Sequence, residues 1–125
     1  MEKKQQVPAF LDPLALSQSI DDPYRNMSLG AVNDHEIRMS VMTEPFRWHR
    51  HPDSDETFYG IDGELVIEFI GGEVVLKPGQ LLTVPAGTLH RTRPAGVRSV
   101  NLTFERTGAA TLFEEPIDVG TSASA

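Results

Sequence analysis

From Met27 to about Glu105 the apolar residues fall in short runs with a period of two, separated by turn residues. A period of two sends successive side chains to opposite faces of an extended strand, so the pattern predicts strands and not helices. The predicted strands are His35–Met42, Phe46–His51, Thr57–Ile61, Glu64–Ile70, Glu73–Leu76, Leu81–Val84, Leu89–Arg93 and Val97–Glu105. Between them stand Asn33-Asp34, Asp62-Gly63, Gly71-Gly72, Pro78-Gly79, Ala86-Gly87 and Pro94-Ala95-Gly96. These residues tolerate positive φ or preset a bend. Many short strands at this spacing predict an all-β fold, a sandwich or a barrel.

The flanks read differently. Residues 1–26 are rich in proline and polar groups, with only a fragment of helical spacing in Leu11, Leu14, Leu16 and Ile20. They predict an N-terminal arm or one short helix. Residues 27–106 form the β domain, and residues 107–125, ending in Thr-Ser-Ala-Ser-Ala, predict a loose C-terminal tail. With 125 residues, 39% of them hydrophobic, the chain has material for one core and by default one site.

Charge and composition then exclude several function classes. A net charge of -7 repels phosphate backbones and anionic membrane surfaces, so nucleic acid and membrane are not expected partners. No run approaches the roughly 20 apolar residues of a transmembrane helix, and Pro8, Asp12 and Pro13 interrupt the N-terminal segment, so a cytoplasmic protein is expected. Cysteine is absent, which removes disulfides, thiolate metal sites and cysteine nucleophiles together. A metal could be held only by nitrogen and oxygen.

Such a ligand set is present. His49 and His51 are two apart, so on a strand their imidazoles leave the same face. Glu56 follows across Pro52-Asp53-Ser54-Asp55, a string that favours a turn and can return the carboxylate to the imidazoles. His90 stands far along the chain, just after Pro85-Ala86-Gly87, and joins the set only through folding. Three imidazole nitrogens and a carboxylate oxygen suit one divalent ion, zinc, iron, nickel, copper or manganese. His35, on a polar stretch by itself, is read as an ordinary surface histidine.

The run His49-Arg50-His51, four residues, Glu56, six residues, Gly63 resembles the first motif of the cupin family. Gly79, five residues, Pro85-Ala86-Gly87, two residues, His90 resembles the second, and the fifteen residues between the glycines resemble the short bacterial spacing. Thr43 stands where the first motif usually opens with glycine, and Pro94 where the second ends with asparagine; neither position is a family ligand. The resemblance spans about residues 28–105. It implies a double-stranded β-helix, the cupin jelly-roll barrel, with a metal bound by His49, His51, Glu56 and His90 inside near one mouth, and it implies frequent dimers.

Around that centre the same period of two turns Arg47 inward with His49 and His51 and sends Phe46 and Trp48 outward. It also puts Phe58 on the face of Glu56 and Thr92 on the face of His90. Arg47, Phe58 and Thr92 are therefore candidate substrate-binding residues; an inward Arg47 would suit a carboxylate or other oxyanion, and the alternative for it is a surface or barrel-mouth arginine lying over apolar side chains. Glu44, Asp53 and Asp55 are candidate general bases, although charges near turns are usually solvated. Phe46 and Trp48 on the outer face could make a contact between subunits or between the sheet and the N-terminal arm, or serve a plain core role, and apolar outer residues of this kind make a homodimer the expected assembly. Two functions fit: a metal-dependent enzyme acting on a small organic molecule, as an oxygenase or as a lyase or isomerase, and a non-catalytic module that binds or senses such a molecule. A metal-free epimerase of related fold is disfavoured by the intact ligand set.

Overall fold

The computed structural model describes Pro8 and residues 10–117. Among these, one short helix, α1 (Pro13–Ser17), precedes β1 (Tyr24–Val32), β2 (His35–Met42), β3 (His49–Arg50), β4 (Glu56–Asp62), β5 (Leu65–Phe69), β6 (Gly72–Leu76), β7 (Leu81–Val84), β8 (Arg91–Pro94), β9 (Ser99–Arg106) and β10 (Leu112–Phe113). Five strands form one antiparallel sheet in the order β1-β2-β9-β4-β7. The second layer has the order β6-β5-β8 and is continued by the pair β3-β10. A bridge joins its two parts, with the His49 amide donating to the His90 carbonyl at 3.0 Å and the His90 amide donating back at 2.9 Å. The result is the all-β double-stranded β-helix.

Two apolar clusters hold it. Met42, Phe58, Leu65, Ile67, Leu76 and Val84 pack between the layers. Met39, Val41 and Val100 lie on the other face of the five-stranded sheet, covered by Leu16 and Ile20 of the N-terminal segment. That segment is fixed locally: the Asp12 side chain accepts from the Ala15 amide at 3.1 Å and Pro13 opens α1, both favourable at a helix start. The Arg98 guanidinium donates to the Ser17 and Ile20 carbonyls and clips the segment to the sheet.

Three elements differ from the sequence expectation. β1 reaches back to Tyr24, into the predicted arm, and was not among the predicted strands, because its register shifts between Ser28 and Gly30 and disturbs the period of two. The predicted strand Phe46–His51 reduces to His49–Arg50. The tail is not loose throughout, since Leu112 and Phe113 pair with Arg50 and His49. The final Thr-Ser-Ala-Ser-Ala run lies outside the described residues. Among the described residues no helix is long and apolar enough to cross a membrane.

Candidate metal centre

His49 and His90 are neighbours because their backbones bridge, and His51 follows His49 by one turn of the strand alternation. Glu56 opens β4, after a loop pinned from three sides. The Asp55 carboxylate accepts from the Ala86 amide at 2.8 Å, the Asp53 carboxylate accepts from the Ala110 amide at 3.1 Å, and the Ser54 hydroxyl accepts from the Arg106 amide at 2.9 Å. Asp53 and Asp55, candidate bases by sequence, thus serve to hold the loop. Glu44 is exposed and does not line the cavity described below.

All four residues of the set are buried, and one ligand atom from each lies within 4.8 Å of the others. Atoms held about 2.1 Å from one ion can be at most about 4.2 Å apart, so the cluster is already near the span an ion demands. Each imidazole is oriented by its other nitrogen. His49 Nδ1 donates to the Arg47 carbonyl at 2.7 Å, His51 Nδ1 to the Ala110 carbonyl at 3.0 Å and His90 Nδ1 to the Thr88 carbonyl at 2.8 Å. A carbonyl can only accept, so Nδ1 carries the proton in all three and Nε2 is left to bind. His90 Nε2 lies 3.2 Å and His51 Nε2 lies 3.4 Å from Glu56 Oε1. The His51 contact is poorly aligned, and this buried nitrogen has no hydrogen-bond partner among the described residues. A buried, oriented and unpartnered imidazole nitrogen is the observation that fits a metal ion.

The charges agree. Burial pushes the His49 imidazole down to about 4, so it is neutral and ready to ligate at neutral pH. For His51, burial works in the same direction, but the adjacent Glu56 carboxylate outweighs it and holds the imidazole up at about 9. Burial would raise Glu56, yet His51 and His90 keep it ionised, down at about 2. Without a metal, a proton on His51 balances the Glu56 charge; a divalent ion would replace that proton.

A model of the cupin domain matches residues 37–103, the stretch that holds all four of these residues. The chain belongs to the cupin family. Its similarity extends to the uncharacterized protein YdbB of Bacillus subtilis, at 45% identity over 103 residues, covering 82% of this chain and 90% of that one. A shorter stretch, 45 residues, is 42% identical to part of the quercetin 2,3-dioxygenase of Bacillus subtilis, covering 36% of this chain and 13% of that enzyme. Among solved structures, a double-stranded β-helix protein from Klebsiella pneumoniae superposes with a TM-score of 0.73 at 16% identity, covering 88% of this cupin and all of that chain.

The centre of this cupin opens into a cavity of about 340 Å³, lined by both polar and apolar side chains. Phe58 and Thr92, expected on the ligand faces, are buried and line it. Arg47 does not. It is exposed, with its guanidinium 4.2 Å from the centre of the Phe113 ring. The expected inward Arg47 and outward Phe46 rested on a continuous strand, and the strand begins only at His49. Phe46 instead turns inward, lines the cavity and meets His49 edge-on with ring centres 5.0 Å apart. Trp48 lies half-buried beside the Arg91 guanidinium, 5.1 Å from the ring centre. His35 is exposed beside Asp34 and takes no part.

The sequence reading missed the opposite wall. Glu36, Arg38 and Ser40 on β2 and Asn101, Thr103 and Glu105 on β9 line the cavity. Glu105 pairs directly with Glu56, and burial together with the Glu56 charge raises its carboxyl above the usual range. The alternation of these residues with Ile37, Met39, Val41, Val100, Leu102 and Phe104 was the available signal. It shows that one face is polar, but not that the polar face points inward.

Proposed function

We propose that this cupin is a metal-dependent enzyme that acts on a small organic molecule held in the cavity, as an oxygenase or as a lyase or isomerase. The observation that carries the reading is the position of the ligand set, buried as a group while three of its members, His49, His51 and Glu56, line an open cavity. Structural metal sites are closed by their ligands, whereas catalytic sites keep room for another group. His49, His51, Glu56 and His90 would hold the ion, which when bound supplies Lewis acidity or, for a redox-active metal, electron transfer to oxygen. The chain's own contribution is to fix three imidazoles by backbone carbonyls and to keep Glu56 ionised. Likeness to part of a named dioxygenase supports the oxygen-using branch. The other reading, a binding or sensing module, shares the same cavity.

The two separate on turnover. Protein loaded in turn with iron, manganese, nickel and zinc, and supplied with a panel of small phenols, hydroxy ketones and sulfonium compounds, should consume oxygen or form product with at least one metal. Binding without turnover across that panel would favour the module. We further place a homodimer contact on the outer face of the five-stranded sheet, where Ile37, Leu102 and Phe104 remain half-buried beside the covered Met39 and Val41. Phe46 and Trp48, the residues first expected to make that contact, are engaged elsewhere.

A further inference from the structure

The inner face of β9 carries two groups that the metal centre does not use. Asn101 is 1% exposed and Thr103 is 3% exposed, and both line the cavity. Neither polar atom of the Asn101 amide, nor the Thr103 hydroxyl, has a hydrogen-bond partner among the described residues. Their neighbours on the adjoining strands are satisfied: the Asn26 amide donates to the Ser40 hydroxyl at 2.8 Å, and Arg38 donates to Glu36 at 2.7 Å and to the Asn26 side-chain oxygen. Buried polar groups are normally paired, so unpaired ones on two neighbouring residues that line a cavity mark a place where a ligand can supply the partners.

We infer that Asn101 and Thr103 form a binding subsite for an uncharged, oxygen-bearing end of the substrate, a hydroxyl or a carbonyl. The inference rests on the reading of the cavity as a substrate site and names the substrate class it takes. The amide offers two donors and an acceptor, and the hydroxyl offers one of each, which a ligand hydroxyl or carbonyl can satisfy. A charged group fits less well. Arg38 is already paired with Glu36, and Asn101 and Thr103 provide only dipoles, so a carboxylate or ammonium there would be desolvated without a counter-charge.

Strand geometry sets the ligand's length. Glu105 faces Glu56 across the sheet, and at about 3.4 Å per residue Thr103 lies about 7 Å and Asn101 about 14 Å further along β9. Phe58 pairs with Thr103, and Met42 and Phe46 also line the cavity. The substrate class is therefore an elongated, neutral molecule: a metal-binding end, an apolar middle and a hydroxyl or carbonyl at the far end.

The test uses zinc-loaded protein and two probes, phenyl catechol and para-hydroxyphenyl catechol, which share a chelating pair of oxygens and differ only in the distal hydroxyl. Calorimetry should show the hydroxylated probe binding about tenfold tighter to the native protein, the worth of one good hydrogen bond. Asn101→Leu and Thr103→Val should each reduce that preference, with zinc content unchanged. Their melting temperatures in the absence of probe should stay level or rise, because an apolar group replaces an unpaired polar one. Equal affinity for the two probes in the native protein, including no measurable binding of either, overturns the subsite. So does a fall of several degrees in melting temperature in both variants, which would mean the groups serve the fold. Absence of zinc from the zinc-loaded native protein, with iron, manganese and nickel likewise not retained on elemental analysis, refutes instead the metal-centred reading beneath it.

Discussion

The two layers of the barrel use the same alternation for opposite ends. In the β6-β5-β8 layer the inward side chains include Leu65, Ile67 and Leu76, which build the core. In the five-stranded sheet the inward positions of β2 and β9 are mostly polar, while Ile37, Met39, Val41, Val100, Leu102 and Phe104 face outward. An ordinary half-solvated sheet turns its apolar face to the core and its polar face to water. Here the polar face lines a cavity, and the apolar face needs its own cover, part of which α1 and Ile20 supply. A sheet that turns its polar face inward has given up core area to make a site. The apolar face left outside is where an assembly contact is expected.

Opposite changes on the two faces should break this contrast. Met39 is fully buried on the outer face, so Met39→Ala should cost about 2–5 kcal/mol in denaturant unfolding, as for other buried large-to-small changes. Leu102→Glu, on the same face, should leave a folded monomer by light scattering. Thr103→Val, one residue along and facing the other way, should change stability by less than about 1 kcal/mol and leave the association state as it is in the native chain. Equal losses from Met39→Ala and Thr103→Val would show that the two faces do not differ as described.

A smaller effect sharpens the metal end. In metal-free protein, Glu56 titrates at about 2 instead of its usual 4.5, so its contribution is complete above about pH 4.5 and is lost as pH falls toward 2. His49, held down at about 4, contributes stability above its ordinary 6.5 that is lost as pH falls toward 4. His51 is opposite in sign: raised to about 9, it stabilises below about 6.5 and that contribution fades as pH rises toward 9. Stability measured with a chelator present should therefore peak near pH 6.5 and decline by on the order of 1 kcal/mol on each flank. A profile that is flat from pH 4 to 9 would contradict the coupled His51 and Glu56 pair.

The grouping of His49, His51 and Glu56 was legible in the sequence because its parts are local. A two-residue histidine step, a turn and a motif glycine each act over a few positions, and Gly63 shows why the glycine is needed. It has φ +66° and sits where a Cβ would come within 2.2 Å of the Arg98 carbonyl oxygen. The pairing of His90 with His49 was reachable only through the family motif. The polar wall and the seat of Phe46 were not legible. Which face of a strand meets the cavity is decided by the opposing layer, and where a strand starts is decided by bonds such as that from the Phe46 amide to the Thr92 carbonyl at 2.9 Å. The order in the described part of the tail was not legible for a similar reason, since Ala110 and Phe113 are held by partners more than fifty residues away.

Whether His49, His51, Glu56 and His90 together hold one divalent ion is read most directly by elemental analysis of protein reconstituted with iron, manganese, nickel and zinc in turn and then desalted. About one ion per chain is expected for at least one metal, with a fall in affinity of at least about 100-fold in both His90→Ala and Glu56→Ala, because loss of a direct ligand should exceed the 10–100-fold typical of outer-shell changes. Native protein that retains none of the four metals, or variants that retain them as tightly as the native chain, would contradict that expectation.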